Sequence, residues 1–368
     1  MVPKVMRLAN ADLRRSYRET KMQREKDQLH SRRKKEHLNI SLEKDVQSKD
    51  ITTGFENYYF LHQALPEIDA ATIDLSVTLF GKKLEAPLII SAMTGGIEAA
   101  KRINRNLAQA AQAAGIAMGV GSQRCAIDDP KLAITYQIRD VAPGILLFAN
   151  LGAVQLNYGY SFAECQRAVD MIHADALILH LNPLHEALQR DGNTNFSGLL
   201  SKIERVCHEL RVPVIVKEVG YGISQSVAKR LAAAGVSGID ISGAGGTSWS
   251  EVERHRAHSP VTDNVAATFS CWGIPTAESI LIARQDAPDI TLIASGGIRT
   301  GIDAAKAIAL GADAVGIAAP FLKAAAISAE AVTQAINEII EGLRITMFCI
   351  GAANLHQLKH SPLLQTKK

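Results

Sequence analysis

From residue 86 onward, short runs of β-branched and aliphatic residues alternate with alanine-rich stretches. Eight of the runs have the length and composition of buried strands. They are Leu88–Met93, Ile116–Gly121, Ile145–Asn150, Ala176–Asn182, Pro213–Val219, Gly238–Ser242, Thr291–Ser295 and Ala314–Ala318. The predicted helices include Lys101–Ala114, Ser224–Ala234, Ile302–Leu310 and Ala331–Phe348. This alternation is typical of a parallel sheet built from β-α units.

The number and spacing of the strands decide between two α/β architectures. Most of the predicted strands start 23 to 37 residues after the previous one, which is about one β-α unit, and eight such units close into a (β/α)8 TIM barrel. A doubly wound open sheet usually carries a G-x-G-x-x-G turn after its first strand, and none follows Leu88–Met93. The 53-residue interval after Gly238 predicts an insertion near Thr247–Gly273. We therefore predict an α/β TIM barrel with an N-terminal extension and an insertion after strand 6.

Charge is concentrated at the N-terminus. Residues 1–36 carry a formal charge of +7, whereas the whole chain of 368 residues carries only +3. We predict that residues 1–29 are a flexible basic extension and that residues 30–368 form a single catalytic domain. The nearly neutral total argues against a nucleic-acid partner, no apolar run is long enough to cross a membrane, and the five Cys residues lack disulfide or metal spacing. These features predict a cytoplasmic protein.

Glycines and polar residues follow the predicted strands, at the end of a barrel where catalytic groups usually lie. The glycine-rich segment Ser295–Arg299 leads into a helix beside Gly316–Ala319, and loops in these two positions commonly bind a phosphate. Ser242–Thr247 adds three glycines and two hydroxyl groups, whose neighbouring backbone N–H groups are further phosphate donors. Together these segments predict a phosphorylated cofactor.

Lys217 closes the fifth predicted strand. A cation there is suited to a ring that becomes anionic, such as the N1–C2=O edge of a reduced flavin. Pairing with Glu218 or Asp240 is the alternative explanation, because an unpaired buried cation is costly.

A second anionic site is predicted from the basic segment Arg33–His37 together with Arg124. Such a segment is usually a solvated face, but folded over the barrel mouth it would supply the cations that a diphosphate needs. Glu186, just past the fourth strand, is the best placed carboxylate to hold Mg²⁺ on those phosphates.

In their order along the chain, several motifs resemble those of the type 2 isopentenyl diphosphate isomerases, a flavin-dependent family. The resemblance covers Arg33–His37, His62–Pro66, Met93–Gly96, Gly119–Arg124, Asn150–Leu156, His180–Leu184, Ile215–Glu218, Ser242–Trp249 and Ser295–Arg299. It implies interconversion of isopentenyl and dimethylallyl diphosphate by proton transfer with reduced FMN. It also implies Mg²⁺, NADPH as the flavin reductant, and a homotetramer or homo-octamer.

The strand ends and the resemblance together assign roles to individual residues. The predicted FMN-binding residues are Thr94, Gly95, Ser122, Asn150, Lys217, Ser242, Gly243, Thr247, Gly296, Gly297, Arg299, Ala318 and Ala319. The predicted substrate-binding residues are Arg33, Lys34, His37, Arg124 and Asn182. The predicted catalytic residues are His180, His185 and Lys217, with Glu186 as the metal ligand and Glu253 as a further acidic position linked to the site.

The chain departs from the family pattern at one position of interest. Where the family usually has H-x-N-x-x-Q-E, this chain has His185 in place of the glutamine. Histidine carries protons near neutral pH, so activity with an altered pH dependence is expected, and a catalytically altered or inactive FMN-binding homologue is the alternative.

A flavin-dependent 2-hydroxy acid oxidoreductase is the rival enzyme class. Those enzymes share the barrel, the lysine of the fifth strand and the glycine-rich phosphate loops. They also carry a His and an Arg just after the sixth strand, where this chain has Ser242–Trp249. Without a base at that place, hydroxy acid oxidation is disfavoured.

Overall fold

The structure, a computed structural model, describes residues 32–257 and 259–367. The predicted basic extension, residues 1–29, lies outside this range. No helix in the described ranges is long and apolar enough to cross a membrane.

Eight parallel strands form a closed barrel, as the spacing of the apolar runs predicts. We number them β1 to β8 in chain order: Leu88–Ile90, Ala117–Gly119, Leu147–Gly152, Ala176–His180, Val214–Lys217, Gly238–Asp240, Thr291–Ser295 and Ala314–Ile317. Each strand pairs with the next along the chain, and β8 closes the ring by pairing with β1. All eight were predicted; six are shorter than predicted, β7 has the predicted bounds, and β3 has the predicted length but lies two residues later.

Helices surround the barrel and extend its ends. Their bounds are residues 32–43, Glu98–Ala114, Arg124–Asp128, Phe162–Ile172, Pro183–Leu188, Leu199–Glu209, Gln225–Ala233, Trp249–His255, Pro260–Ala267, Thr276–Asp286, Gly301–Ala309, Ala319–Ala325, Ala329–Cys349 and Leu355–Lys359. The four predicted helices are confirmed to within three residues at each end. Short 3-10 turns lie at Phe55–Asn57, Ala70–Thr72, Pro130–Thr135 and Ala153–Asn157.

The apolar side chains form two clusters, one on each face of the barrel wall. The larger cluster lies between strands and helices, and Leu107, Leu177 and Met347 are among its fully buried members. The smaller cluster fills the barrel interior and includes Phe148 and Ile215. At about 25 cal/mol per Å² of apolar surface removed from water, such burial is the main term that stabilises the fold.

A β-hairpin of Val77–Leu79 and Lys82–Leu84 seals the amino end of the barrel. Its Phe80 ring packs edge-on against Phe148 inside the barrel and lies against Gly238, the first residue of β6. A second pair of antiparallel strands, Tyr58–Phe60 and Leu364–Thr366, joins the two ends of the described chain. The amino end of the barrel is thus filled, which leaves the carboxyl end open.

The chain before β1 crosses this open end. The backbone N–H of Ser48 donates to the Gly246 carbonyl at 2.9 Å, and that of Ser248 donates to the Val46 carbonyl at 2.8 Å. The predicted insertion after β6 is confirmed and contains the helices Trp249–His255 and Pro260–Ala267. The N-terminal segment and the insertion therefore meet over the mouth of the barrel.

Candidate functional site

A cavity of about 660 Å³ opens at the carboxyl end of the barrel, beneath the N-terminal segment. It receives residues from the ends of the strands, from the helix at residues 32–43 and from the insertion. The predicted residues that line it are Arg33, Lys34, His37, Thr94, Gly95, Ser122, Arg124, Asn150, His180, Asn182, His185, Glu186, Lys217, Ser242, Thr247, Gly296, Gly297, Arg299, Ala318 and Ala319. Gly243 is the exception among the predicted FMN residues: it lies behind Gly296 rather than on the cavity wall.

The glycines after β6 and β7 are required by close backbone contact. Gly296 has φ +101°, and a Cβ atom there would lie 2.1 Å from the Gly243 carbonyl oxygen. A Cβ atom on Gly246 would lie 2.4 Å from the Gly297 nitrogen. Two strand-end loops can approach this closely only without side chains. The result is a cavity wall made mostly of backbone at residues 242–247, 295–299 and 316–319, which we call the glycine wall.

Lys217 ends β5 and points into the cavity from a buried position. Its Nζ lies 3.2 Å from Asp240 Oδ2 and donates to Ser295 Oγ at 3.2 Å. Ser295 Oγ in turn donates to Asp240 Oδ1 at 2.6 Å. The pairing with Asp240 considered in the sequence analysis is therefore present. Asp240, which ends β6, and Ser295, which ends β7, thus hold the ammonium group in place.

Glu218, the next residue, turns away from the cavity into a loop. Its Oε2 accepts backbone N–H groups from Val219, Gly220 and Tyr221 at 2.5–2.6 Å. Burial raises the pKa of Glu218 to about 7, although these hydrogen bonds favour the ionised form. Glu218 is thus an acid that shapes the turn after β5.

His180, at the end of β4, faces the cavity with one ring nitrogen held. Its Nδ1 lies 2.8 Å from Asn150 Oδ1, which accepts its hydrogen because an amide oxygen has none to give. Burial lowers the pKa of His180 to about 3, and the positive charge of Lys217 nearby adds to this effect. At neutral pH His180 is therefore an uncharged imidazole whose Nε2 can accept a hydrogen bond.

Cations of the N-terminal helix also line the cavity. The Lys34 ammonium donates to the Ser122 carbonyl at 2.8 Å and to the Tyr136 hydroxyl at 2.7 Å. Burial lowers the pKa of Lys34 and of Arg33, and the nearby Arg124 guanidinium lowers that of Arg33 further. This cluster of like charges favours binding of an anion.

Glu186 is buried at the start of a short helix, Pro183–Leu188. Its Oε1 accepts from Asn182 Nδ2 at 3.0 Å, and its Oε2 accepts from Gln189 Nε2 at 3.1 Å and from the Asn193 backbone N–H at 2.6 Å. Three neutral donors orient the carboxylate, whose charge also acts on nearby Arg33. Carboxylate oxygens are the ligands that a hard cation such as Mg²⁺ prefers.

His37, His185 and Glu253 converge from three separate parts of the chain. Glu253 Oε1 lies 2.8 Å from His37 Nε2 and 3.1 Å from His185 Nε2, and Glu253 Oε2 accepts from Arg256 Nη1 at 2.6 Å. The Trp249 ring stacks on His185 with centroids 4.3 Å apart. Burial lowers the pKa of His37 to about 4, whereas hydrogen bonds from the two histidines hold that of Glu253 below its ordinary value despite burial.

Several residues of the site were not among those predicted from the sequence. Ser91, Gln189 and Trp249 line the cavity, Tyr136 accepts a hydrogen bond from Lys34, and Arg256 binds Glu253. Ser91 directly follows β1, so its position at a strand end was the signal available for it. Tyr136 and Arg256 carry no such signal, because they reach the site through loop and helix packing.

Buried polar atoms without a partner indicate where ligands belong. In the described ranges four such side-chain atoms occur, and three of them belong to residues of the cavity: Ser91 Oγ, Arg124 Nε and Asn182 Oδ1. Burying such atoms without a partner costs about 1–3 kcal/mol each. A phosphorylated flavin and a diphosphate fit the glycine wall, the cations and these atoms, and Mg²⁺ fits the oxygens of Glu186 and Asn182.

Comparisons with known proteins support the barrel fold. Residues 27–129 and 177–365 match the model of the FMN-dependent dehydrogenase family. The fold is similar to that of a mandelate oxidase variant (TM-score 0.62, 18% identity, 90% of this chain and 95% of the other). It is also similar to that of a flavocytochrome b2 mutant (TM-score 0.63, 16% identity, 90% and 82%). At these identities the likeness concerns the barrel alone.

Sequence identity is far higher with another group of proteins. The isopentenyl-diphosphate delta-isomerase of a Synechocystis species is 58% identical over 331 residues, covering 90% of this chain and 95% of the relative. That of a Nostoc species is 56% identical over 334 residues, again covering 90% and 95%, and that of Rickettsia bellii is 49% identical, covering 91% and 98%. The chain therefore belongs to the isopentenyl-diphosphate delta-isomerase family, on an FMN-dependent barrel.

Proposed function

We propose that the protein interconverts isopentenyl diphosphate and dimethylallyl diphosphate with reduced FMN. The observation that carries this proposal is that two groups of residues suited to binding anions line one cavity. One is the glycine wall of residues 242–247, 295–299 and 316–319, and the other is the set of cations Arg33, Lys34 and Arg124. A phosphorylated flavin on the first and a diphosphate on the second would meet between them.

The residues proposed to hold the flavin act mainly through backbone and small side chains. Reduced FMN, when bound, supplies the acid–base group that moves a proton between the two ends of the allylic system. Thr94, Gly95, Ser122 and Asn150 would contact the ring from β1, β2 and β3. Lys217 would stabilise its negative edge, because Asp240 and Ser295 hold the ammonium in place. The remaining proposed FMN contacts are Ser242, Thr247, Gly296, Gly297, Arg299, Ala318 and Ala319. Gly243, which does not line the cavity, would support Gly296 from behind.

The residues proposed for the substrate act through charge and shape. Arg33, Lys34, His37, Arg124 and Asn182 would bind the diphosphate. Trp249 and the helix at residues 32–43 cover the cavity, so water is kept from the reacting carbons, and a dry site strengthens each charge contact.

His180 and His185 are proposed to hold the reacting end of the substrate. His180 is neutral at pH 7 because burial lowers its pKa to about 3, so it would accept a hydrogen bond rather than deliver a proton. His185 stacks on Trp249 and lies beside Glu253, which fixes the orientation of its ring. Here His185 replaces the glutamine expected from the family pattern, and we infer that the imidazole keeps an orienting role.

The resemblance to the family supports further proposals. We infer that Glu186 binds Mg²⁺ on the diphosphate, that NADPH reduces the flavin, and that the protein is a cytoplasmic homotetramer or homo-octamer. We expect no nucleic-acid or membrane partner. The assignment of the reaction does not depend on these proposals, because the same reaction could proceed with another reductant or in another oligomeric state.

A turnover experiment tests the reaction. The purified protein is incubated without oxygen with FMN, Mg²⁺, excess dithionite and isopentenyl diphosphate, and dimethylallyl diphosphate is followed by NMR, beside a His185→Gln variant. We expect product from the unmodified protein. Product from the variant alone would show that His185 has changed the chemistry, and FMN binding without product from either protein would favour a non-catalytic homologue.

A further inference from the structure

The arrangement of His37, His185 and Glu253 matches a transition-metal site. One donor atom from each of the three residues lies within 4.8 Å of the others, and both histidines contact Glu253 Oε1 through Nε2. A metal that binds each donor at about 2.0–2.2 Å in tetrahedral geometry needs donors about 3.3–3.6 Å apart. The observed 2.8 Å and 3.1 Å contacts to Glu253 require only small outward movements to reach this spacing.

The surroundings of the three residues favour such a site. The parallel Trp249 ring restricts His185, and Arg256 binds the second oxygen of Glu253 at 2.6 Å, which leaves the first oxygen as a single ligand. Partners of this kind orient metal ligands in known sites. Binding a metal through Nε2 requires the His185 tautomer with its hydrogen on Nδ1. This tautomer loses only a long contact, 3.4 Å, from the Asn182 Nδ2 donor, and the Asn182 amide must turn so that its N–H does not face the new Nδ1–H.

We propose that His37, His185 and Glu253 bind a divalent transition-metal cation, with Zn²⁺ as the best-suited ion. Two imidazoles and one carboxylate favour Zn²⁺ and its neighbours, whereas Mg²⁺ favours oxygen ligands alone. The Glu186 oxygens and this site therefore select different ions. The site depends on His185, because the glutamine of the family pattern would leave one histidine and one carboxylate.

Binding would also join three elements that are otherwise held by hydrogen bonds. His37 lies on the helix at residues 32–43, His185 follows β4, and Glu253 lies in the insertion. A metal at this point would fix the N-terminal helix over the cavity mouth. The inference concerns binding by this chain and does not depend on the proposed isomerase reaction.

Equilibrium dialysis tests the proposal. The full-length FMN-loaded protein, without an affinity tag, is dialysed against Zn²⁺ in excess Mg²⁺, so that oxygen-only sites are filled, and bound zinc is measured by elemental analysis. We expect one zinc per chain, bound more than about 100-fold less tightly by His185→Gln and by Glu253→Gln, since loss of a ligand exceeds the effect of losing an outer partner. FMN content and circular dichroism report whether each variant is folded.

A matched control separates this site from surface histidines. His356 and His360 form an exposed pair with ring centroids 4.5 Å apart, so His356→Gln should leave the tight zinc unchanged. Zinc-edge X-ray absorption should show two nitrogen ligands at about 2.0–2.1 Å. The proposal is overturned if the unmodified protein binds no more zinc than His185→Gln, or if the zinc is lost in His356→Gln.

Discussion

The two sides of the cavity are built by different means. The cofactor side, residues 242–247, 295–299 and 316–319, is mostly backbone from neighbouring strands, packed so closely that a side chain on Gly296 would overlap Gly243. The substrate side, residues 32–43, 180–189 and 249–256, is made of long side chains from three distant segments. Closely packed backbone leaves no room for an added side chain, whereas long side chains can rotate to accommodate a change. The effects of substitutions on the two sides should therefore differ in size, and they should concern different ligands.

The largest effect is expected on the cofactor side, from Gly296→Ala. The new Cβ atom would lie 2.1 Å from the Gly243 carbonyl oxygen, on a residue with φ +101°. We expect a loss of more than about 4 kcal/mol in the free energy of unfolding, together with loss of FMN binding. Urea unfolding and flavin fluorescence measure the two effects.

Gly159→Ala is the matched control for this prediction. Gly159 also has a positive φ, +95°, but a Cβ atom there meets nothing within 4 Å. We expect only the backbone cost of about 1–2 kcal/mol, with FMN binding intact. Equal losses in the two variants would show that close packing of the loops is not what matters.

Lys217→Met tests the charged side chain that we place against the flavin ring. Removal of the ammonium leaves Asp240 buried without its cation, which typically costs about 3–5 kcal/mol. The double variant Lys217→Met/Asp240→Asn should recover much of this stability, but not the isomerase activity. Recovery of activity in the double variant would contradict the role assigned to Lys217, and urea unfolding beside turnover measures both.

The raised pKa of Glu218, which follows Lys217, predicts that the free energy of unfolding depends on pH. Its pKa is raised from 4.5 to about 7 in the folded protein, so the folded state binds more protons between these values. Stability contributed by this group is fully present below pH 4.5 and falls by about 3 kcal/mol as the pH rises to 7. Relative to Glu218→Gln, the unmodified protein should lose stability across this window. Parallel pH curves for the two proteins would contradict the prediction.

The smallest effect is expected on the substrate side, from Gln189→Leu. Gln189 donates to Glu186 from a buried position, so its loss should weaken Mg²⁺ affinity by about 10–100-fold and leave FMN affinity unchanged. Gln166→Leu, which removes an exposed amide bonded to Asp170, is the control. Activity measured against Mg²⁺ concentration gives the result, and an equal change in FMN affinity would contradict the separation of the two sides.

The cofactor side could be predicted from the sequence because it is local. Strand ends, glycines and the Lys217 position are visible in runs of a few residues, and the barrel then determines that they meet. On the substrate side, the charges of Arg33–His37, Arg124 and Glu186 could be picked out in the sequence, whereas the roles of Asn182 and His185 came from the family resemblance. Neither route gave the contact of Glu253 with both histidines or the support from Arg256, since these depend on how the insertion packs.

A crystal structure with FMN, Mg²⁺ and isopentenyl diphosphate bound under reducing conditions tests the central claim most directly. We predict the FMN phosphate on the glycine wall between residues 295–299 and 316–319, and the substrate diphosphate on Arg33, Lys34 and Arg124, with Mg²⁺ on Glu186. The reacting carbons should lie between the flavin and His185. A diphosphate bound on the glycine wall, or outside the cavity, would contradict the assignment of the two sides.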